Sequence, residues 1–151
     1  MLGDRQHQLQ VDRARGCWTL PEFPHHRMTS PHTILIVDDE SYIRDLLVSV
    51  LSLEYKVLTA EDGVEAFETY SQHRDAIRCV VTDLFMPRMD GEELIGQLHA
   101  EQPDLPIILI TALQDEARLN QLRERPNVTV MPKPFNLGQL RNTLRQSIAA
   151  R

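Results

Sequence analysis

Short apolar runs and helical apolar stripes alternate five times between Thr33 and the C-terminus, and this alternation restricts the fold more than any other feature of the chain. Residues 34–37, 57–58, 79–81, 107–110 and 128–131 form runs of strand length, four of them rich in β-branched residues. After the first run, Ile43, Leu46, Leu47, Val50 and Leu51 fall at i, i+3, i+4, i+7 and i+8, which is one face of a helix. Ala66, Phe67 and Tyr70 mark a second helix, and Leu94, Ile95 and Leu98 a third. Leu119 and Leu122 mark a weaker fourth, and Leu137, Leu140, Leu144 and Ile148 a fifth. Strands apolar on both faces and separated by helices predict an α/β fold, a doubly wound five-stranded parallel sheet with right-handed crossovers. In such sheets ligands bind beyond the carboxyl ends of the strands, near the topological switch point, so function is sought at the strand ends.

The remaining composition narrows the class. At 151 residues the chain has room for one compact core. Its formal charge is -6 and its pI about 5.5, against the Lys and Arg excess that nucleic-acid binding draws on, so no nucleic-acid partner is expected. Residues 32–151 alone carry a net -7, so the acidity belongs to the globular part. Cys17 and Cys79 are the only cysteines, which suits a reduced compartment, and no zinc-ligand spacing exists. No apolar run approaches the ~20 residues that span a bilayer, so a cytoplasmic protein without a membrane partner is expected. Residues 1–31, dominated by Gln, His, Arg and Pro, show no sustained period and are expected to be a disordered N-terminal extension, with Met28 as an alternative start. Residues 32–151 are the expected domain.

Four strand ends carry polar groups: Asp38-Asp39-Glu40 after the first, Thr82-Asp83 on the third, Thr111-Ala112 after the fourth and Lys133 after the fifth. Taken singly each is ordinary, since an Asp after a strand is often a helix cap, a Thr a strand residue and a Lys a solvated one. Together they converge on one edge of one sheet. Asp38, Asp39 and Asp83 gathered there repel one another unless a cation enters or a pKa rises. Mg²⁺ suits such a site, because it takes a few carboxylate oxygens with water and phosphate, and neither His nor Cys stands nearby. Lys133 adds a positive charge for a phosphoryl oxygen, and the Thr111 hydroxyl can donate to another. The chemistry indicated is phosphoryl transfer, in which an Asp carboxylate can serve as covalent acceptor.

These residues resemble the receiver domain of two-component response regulators. The likeness rests on Ile34-Leu35-Ile36-Val37-Asp38-Asp39-Glu40, on Asp83-Leu84-Phe85-Met86-Pro87-Arg88-Met89-Asp90-Gly91, on Ile110-Thr111-Ala112 and on Lys133-Pro134-Phe135. Their order agrees with the family, and so do the separations of 44 residues from Asp39 to Asp83, 28 on to Thr111 and 22 on to Lys133. The resemblance covers residue 32 to the C-terminus and implies a flavodoxin-like (βα)5 fold with strand order 2-1-3-4-5. It implies that Asp83 accepts a phosphoryl group from a histidine kinase or histidine phosphotransfer protein. Asp38, Asp39, Asp83 and the Phe85 backbone carbonyl would hold Mg²⁺, and Thr111 and Lys133 would contact the transferred group. It further implies a cis Lys133-Pro134 bond, an Asp90-Gly91 turn opening the third helix, and a downstream protein partner on the face of the fourth helix, fifth strand and fifth helix. With the fifth helix ending at Arg151, a stand-alone regulator that is not itself an enzyme is expected.

Two features depart from the family pattern. Family members commonly carry Tyr or Phe three residues before the Lys, where this chain has Val130, so coupling to the partner face is expected to be altered. Phe85 and Leu113, each two residues beyond a site residue, offer no polar group to orient a hydrolytic water, and slow autodephosphorylation is expected. A small Mg²⁺-dependent phosphatase with an Asp nucleophile is a competing reading, disfavoured because Asp38 and Asp39 are adjacent instead of two apart. A degenerate receiver acting only as a binding module is another, disfavoured by the intact site residues and favoured by Val130. Gly91 and Gly96 have the spacing of a phosphate-binding loop, but Gln97-Leu98 replace its Lys-Ser/Thr pair. His25, His26, His32, His73 and His99 read as solvated or surface residues, and Arg118, Arg123, Arg125, Arg141 and Arg145 as a solvated face that flanks the partner surface.

Overall fold

The computed structural model describes residues 31–150, so the expectations for the N-terminal extension, Met28 and Cys17 lie outside the described residues. Strand and helix alternate strictly: β1 (Thr33–Val37), α1 (Ser41–Leu51), β2 (Lys56–Ala60), α2 (Gly63–His73), β3 (Ile77–Asp83), α3 (Gly91–Glu101), β4 (Ile107–Thr111), α4 (Glu116–Arg123), β5 (Val128–Pro132) and α5 (Leu137–Ala149). All strand pairings are parallel and the order is β2-β1-β3-β4-β5, the predicted doubly wound arrangement.

The period of two explains how one sheet serves two cores. Leu35 and Val37 of β1, with Leu109 of β4, face a cluster completed by Ala66 and Tyr70 of α2, Leu94, Ile95 and Leu98 of α3 and Leu122 of α4. Their neighbours Ile34, Ile36, Ile108 and Ile110 face the opposite cluster, completed by Leu47 and Leu51 of α1 and Leu140 and Leu144 of α5. Burial on both faces is why β1 and β4 are uninterrupted runs of apolar residues capped by Thr. β2 lies at the sheet edge, and there Lys56 and Thr59 are exposed.

Four helices begin with an Asx cap. Asp62, Asp90, Asp115 and Asn136 each accept the amide of the third residue on, namely Glu65, Glu93, Arg118 and Gln139. α1 is the exception: its N-cap is Glu40, without a side-chain cap bond. Asp38 and Asp39 therefore do not cap a helix, and their position at the end of β1 needs another explanation.

An acidic pocket at the carboxyl edge of the sheet

The sheet order places β1 beside β3 at the point where the chain's winding reverses, and both strands end in carboxylates there. One carboxylate oxygen from each of Asp38, Asp39 and Asp83 lies within 4.8 Å of the others. Asp38 is 4% and Asp83 7% exposed, whereas Asp39 faces solvent. Lys133, delivered by the end of β5, points its ammonium into this group, 2.8 Å from Asp83 Oδ2 and 3.8 Å from Asp38 Oδ2. The Lys133 amide donates to the Thr111 carbonyl at 2.8 Å, which ties the ends of β4 and β5 together. Thr111 is fully buried, and its Oγ1 accepts the Leu113 amide at 3.0 Å. A hydroxyl that accepts still has its own proton to donate.

Backbone amides fix the two buried carboxylates. Asp38 Oδ1 accepts from Glu40 N at 2.9 Å and Asp83 Oδ1 from Leu84 N at 2.7 Å. Burial pushes the Asp38 carboxyl above its usual pKa, although the Glu40 amide and the Lys133 charge work the other way. For Lys133, burial works to lower the pKa, but the bond to Asp83 and the charges of Asp83 and Asp38 outweigh it and hold the ammonium above its usual range. Lys133 is thus a fixed cation against Asp83 and Asp38, and the carboxylate trio exceeds it in charge. An all-oxygen trio without His or Cys fits a hard divalent cation and not zinc or copper.

The loop after Asp83 lies close to the site. Gly91 is packed against the end of β3: a Cβ there would fall 2.3 Å from the Asp83 carbonyl oxygen. Asp90 caps α3 as expected, Gly91 is its first residue, and the Lys133-Pro134 bond is cis. Phe85 is 53% exposed, while Leu113 packs against the core.

Pairings between distant segments were not legible in the sequence. Arg118 and Arg125 both reach Glu92 of α3, at 3.1 and 2.8 Å, while Arg123 pairs locally with Glu116 within α4. Arg141 and Arg145 converge on Glu54, so these arginines are engaged by acids and do not form a merely solvated face. His99 is half-buried, its ring nitrogen 2.9 Å from the Leu105 carbonyl, whereas His73 is exposed as expected. Gly96 lies inside α3, which removes the phosphate-loop reading.

A doubly wound parallel sheet with a carboxylate trio and a facing lysine at its switch point defines a small phosphoryl-handling signalling domain. Residues 34–145 match the family model of the response regulator receiver domain, and the chain belongs to that family. It is 39% identical over 112 residues to the response regulator MprA of Mycobacterium sp. strain KMS, covering 73% of this chain and 47% of that protein. It is 34% identical over 117 residues to the sensor kinase CckA of Brucella abortus, covering 77% of this chain and 12% of that one. The chain thus spans under half the length of these curated relatives. Among solved structures it is similar to the response regulator TrrA of Thermotoga maritima in complex with Mg²⁺ and BeF, with 32% identity, TM-score 0.67 and coverage of 76% and 97% of the two chains. The receiver domain of the hybrid histidine kinase CckA matches with TM-score 0.65 at 26% identity, over 77% and 98%. Receiver domains of two-component signalling work with histidine kinases or phosphotransfer proteins. Among the described residues no helix is long and apolar enough to cross a membrane.

Proposed function

We propose that Asp83 is the phosphoacceptor and that residues 32–151 form the signalling domain around it. The observation that carries this reading is the Lys133 ammonium 2.8 Å from Asp83, in a pocket shared with Asp38 and Asp39. An Asp83 oxygen attacks the phosphorus of a phosphohistidine. The new O–P bond makes an acyl phosphate, the N–P bond breaks, and its electron pair returns to the imidazole of the donor.

Asp38, Asp39, Asp83 and the Phe85 backbone carbonyl would hold Mg²⁺, which when bound supplies positive charge to the phosphoryl oxygens. Lys133 leaves its contact with the free carboxylate and takes a phosphoryl oxygen, so its charge is already in place as negative charge develops. Thr111 donates its hydroxyl to a second oxygen. Because the Thr111 carbonyl holds the Lys133 amide, movement of either residue passes to the ends of β4 and β5. The readout is a protein partner on the face of α4, β5 and α5. Val130 on β5 is half-buried and aliphatic, so this transmission proceeds without a swinging aromatic ring. The domain is a regulator that modifies itself and does not turn over free phosphate esters.

The test is incubation with acetyl phosphate and Mg²⁺, with intact mass measured for the wild type and for Asp83→Asn. A single phosphate on the wild type, lost in the variant, is the expected outcome. Steady release of phosphate from esters would replace this reading with a phosphatase, and no modification would leave a binding module.

A further inference from the structure

Residues 84–90 join the proposed phosphoacceptor to α3 and carry Phe85. A backbone carbonyl has no side chain of its own to aim it, and the exposed Phe85 ring packs too little to do so; the path of the loop sets where that carbonyl lies. The ends of the loop are anchored by backbone: Leu84 N donates to Asp83 Oδ1 and Gly91 N to Leu84 O, both at 2.7 Å.

The middle is anchored differently. Arg88 adopts φ 64°, a left-handed conformation uncommon for a residue with a side chain. From there its guanidinium reaches Asp62 at the head of α2, with Nε 2.7 Å and Nη2 2.5 Å from Oδ2. The Asp62 side chain is only 4% exposed while that of Arg88 remains 57% exposed, so the arginine lies over a covered carboxylate like a lid. The other Asp62 oxygen caps α2 through the Glu65 amide at 2.9 Å. Beside this pair, Met89 sits directly on Gly63, where an added Cβ would come within 2.7 Å of Met89 Cβ and of its carbonyl oxygen. The loop is therefore seated on α2 by an ion pair in which two guanidinium nitrogens share one carboxylate oxygen, and by a close packing contact, each 26 residues apart in sequence.

We propose that Arg88 is a positioning residue for the phosphorylation site: its latch onto Asp62 holds the loop so that the Phe85 carbonyl faces the carboxylates of Asp38, Asp39 and Asp83. This rests on the metal site proposed above. Arg88 itself touches no reacting atom. Its role is that of the outer groups of metal sites, whose loss typically weakens binding about 10–100-fold.

The test titrates Mg²⁺ alone into the unphosphorylated full chain, followed by amide NMR shifts. Arg88→Gly removes the guanidinium while keeping a residue that accepts the left-handed backbone. Asp62→Asn keeps a capping oxygen for α2 but removes the ion pair. Each single variant is expected to weaken Mg²⁺ binding about tenfold, and the double variant no further, because both break one latch. Arg88→Lys, which keeps the charge without the paired nitrogens, recovers part of the loss. Acetyl-phosphate labelling at saturating Mg²⁺ stays at the wild-type rate, a split that general loosening of the fold would not give. An unchanged Mg²⁺ Kd in Arg88→Gly, or losses that add in the double variant, overturns the positioning role. If the wild type itself fails to bind Mg²⁺, the metal site and the positioning role both fall; if it binds and Arg88→Gly binds equally, only the positioning role does.

Discussion

Gly91→Ala and Gly96→Ala are the same substitution five residues apart in α3, and the structure assigns them opposite signs. At Gly91 the added methyl would lie 2.3 Å from the Asp83 carbonyl oxygen, 3.0 Å from Leu84 Cα and 3.1 Å from Asp83 C. Carbon and oxygen normally approach to about 3.3 Å, so the overlap with that oxygen is roughly 1 Å. Every crowding atom is backbone, and no rotamer change can relieve it. Overpacking of this kind costs about 1–3 kcal/mol, and with backbone on every side the upper end is expected, even after the better helix propensity of Ala. At Gly96 nothing lies within 4 Å, and Ala there is expected to stabilise by about 0.5–1 kcal/mol through helix propensity alone. For a domain of this size 1 kcal/mol corresponds to roughly 4 °C, so the melting temperatures should separate by more than 10 °C.

The functional consequence separates crowding from simple loss of stability. Relief at Gly91 requires α3 to back away from Asp83, which disturbs the proposed acceptor, so acetyl-phosphate labelling of Gly91→Ala should fall even at temperatures where the variant is fully folded. Urea titrations followed by circular dichroism give the stabilities, and intact mass gives the labelling. A Gly91→Ala protein within about 1 kcal/mol of the wild type and labelled at the normal rate would show that α3 does not need its close approach to Asp83.

Three further outcomes follow from the site and its surroundings. Lys133→Met removes the charge that faces Asp83 while keeping the length of the stem; labelling by acetyl phosphate, followed by intact mass, should fall about 10²-fold or more with the fold retained. Hydrogen bonds from Arg141 and then Arg145 hold the Glu54 carboxyl below its usual pKa, so the stability they confer is present above the unfolded carboxyl's pKa and is lost as pH falls through the depressed one. Urea midpoints of wild type and Glu54→Gln should accordingly differ at pH 7 and converge as acid protonates Glu54. Phe85→Asn puts a polar group beside the acyl phosphate, so radiolabel should be lost faster from the variant than from the wild type; equal lifetimes would show that Phe85 does not limit access of water.

The fold was legible because the apolar pattern reports burial and nothing else is needed for β1, β4 and the stripe of α5. It was least legible in β2, where only Val57 and Leu58 announce a strand that runs Lys56–Ala60, since an edge position leaves Lys56 and Thr59 in solvent. The site was legible for a related reason. Strand order turns residues dispersed from 38 to 133 into neighbours, and the polar ends of uninterrupted apolar runs point to where they meet. What the sequence could not reveal were contacts fixed by direction and reach: Arg88 on Asp62 across 26 residues, Arg118 and Arg125 on Glu92, Arg141 and Arg145 on Glu54. Any of these arginines reads equally well as a solvated charge. For Arg88 one local signal exists only in three dimensions, the positive φ of a residue with a side chain.

The charge arithmetic of the pocket explains why its residues are better understood through chemistry than through stability. Two carboxylates are buried beside a third, with a single ammonium among them, and desolvation already drives the Asp38 pKa upward. A chain selected only to fold would do better with apolar groups at the end of β1, as it has along the rest of that strand. Local rules are broken here in a concentrated way: α1 starts without a side-chain cap, β3 ends in a buried Asp, and Gly91 brings the helix that follows onto the carbonyl of that same Asp. Each departure either places a carboxylate at the sheet edge or fixes the backbone around Asp83. The structural cost thus falls on Asp83 and on the backbone beside the pocket, while the pairs made by Glu54 and Glu92 lie on the surface and involve none of the pocket residues.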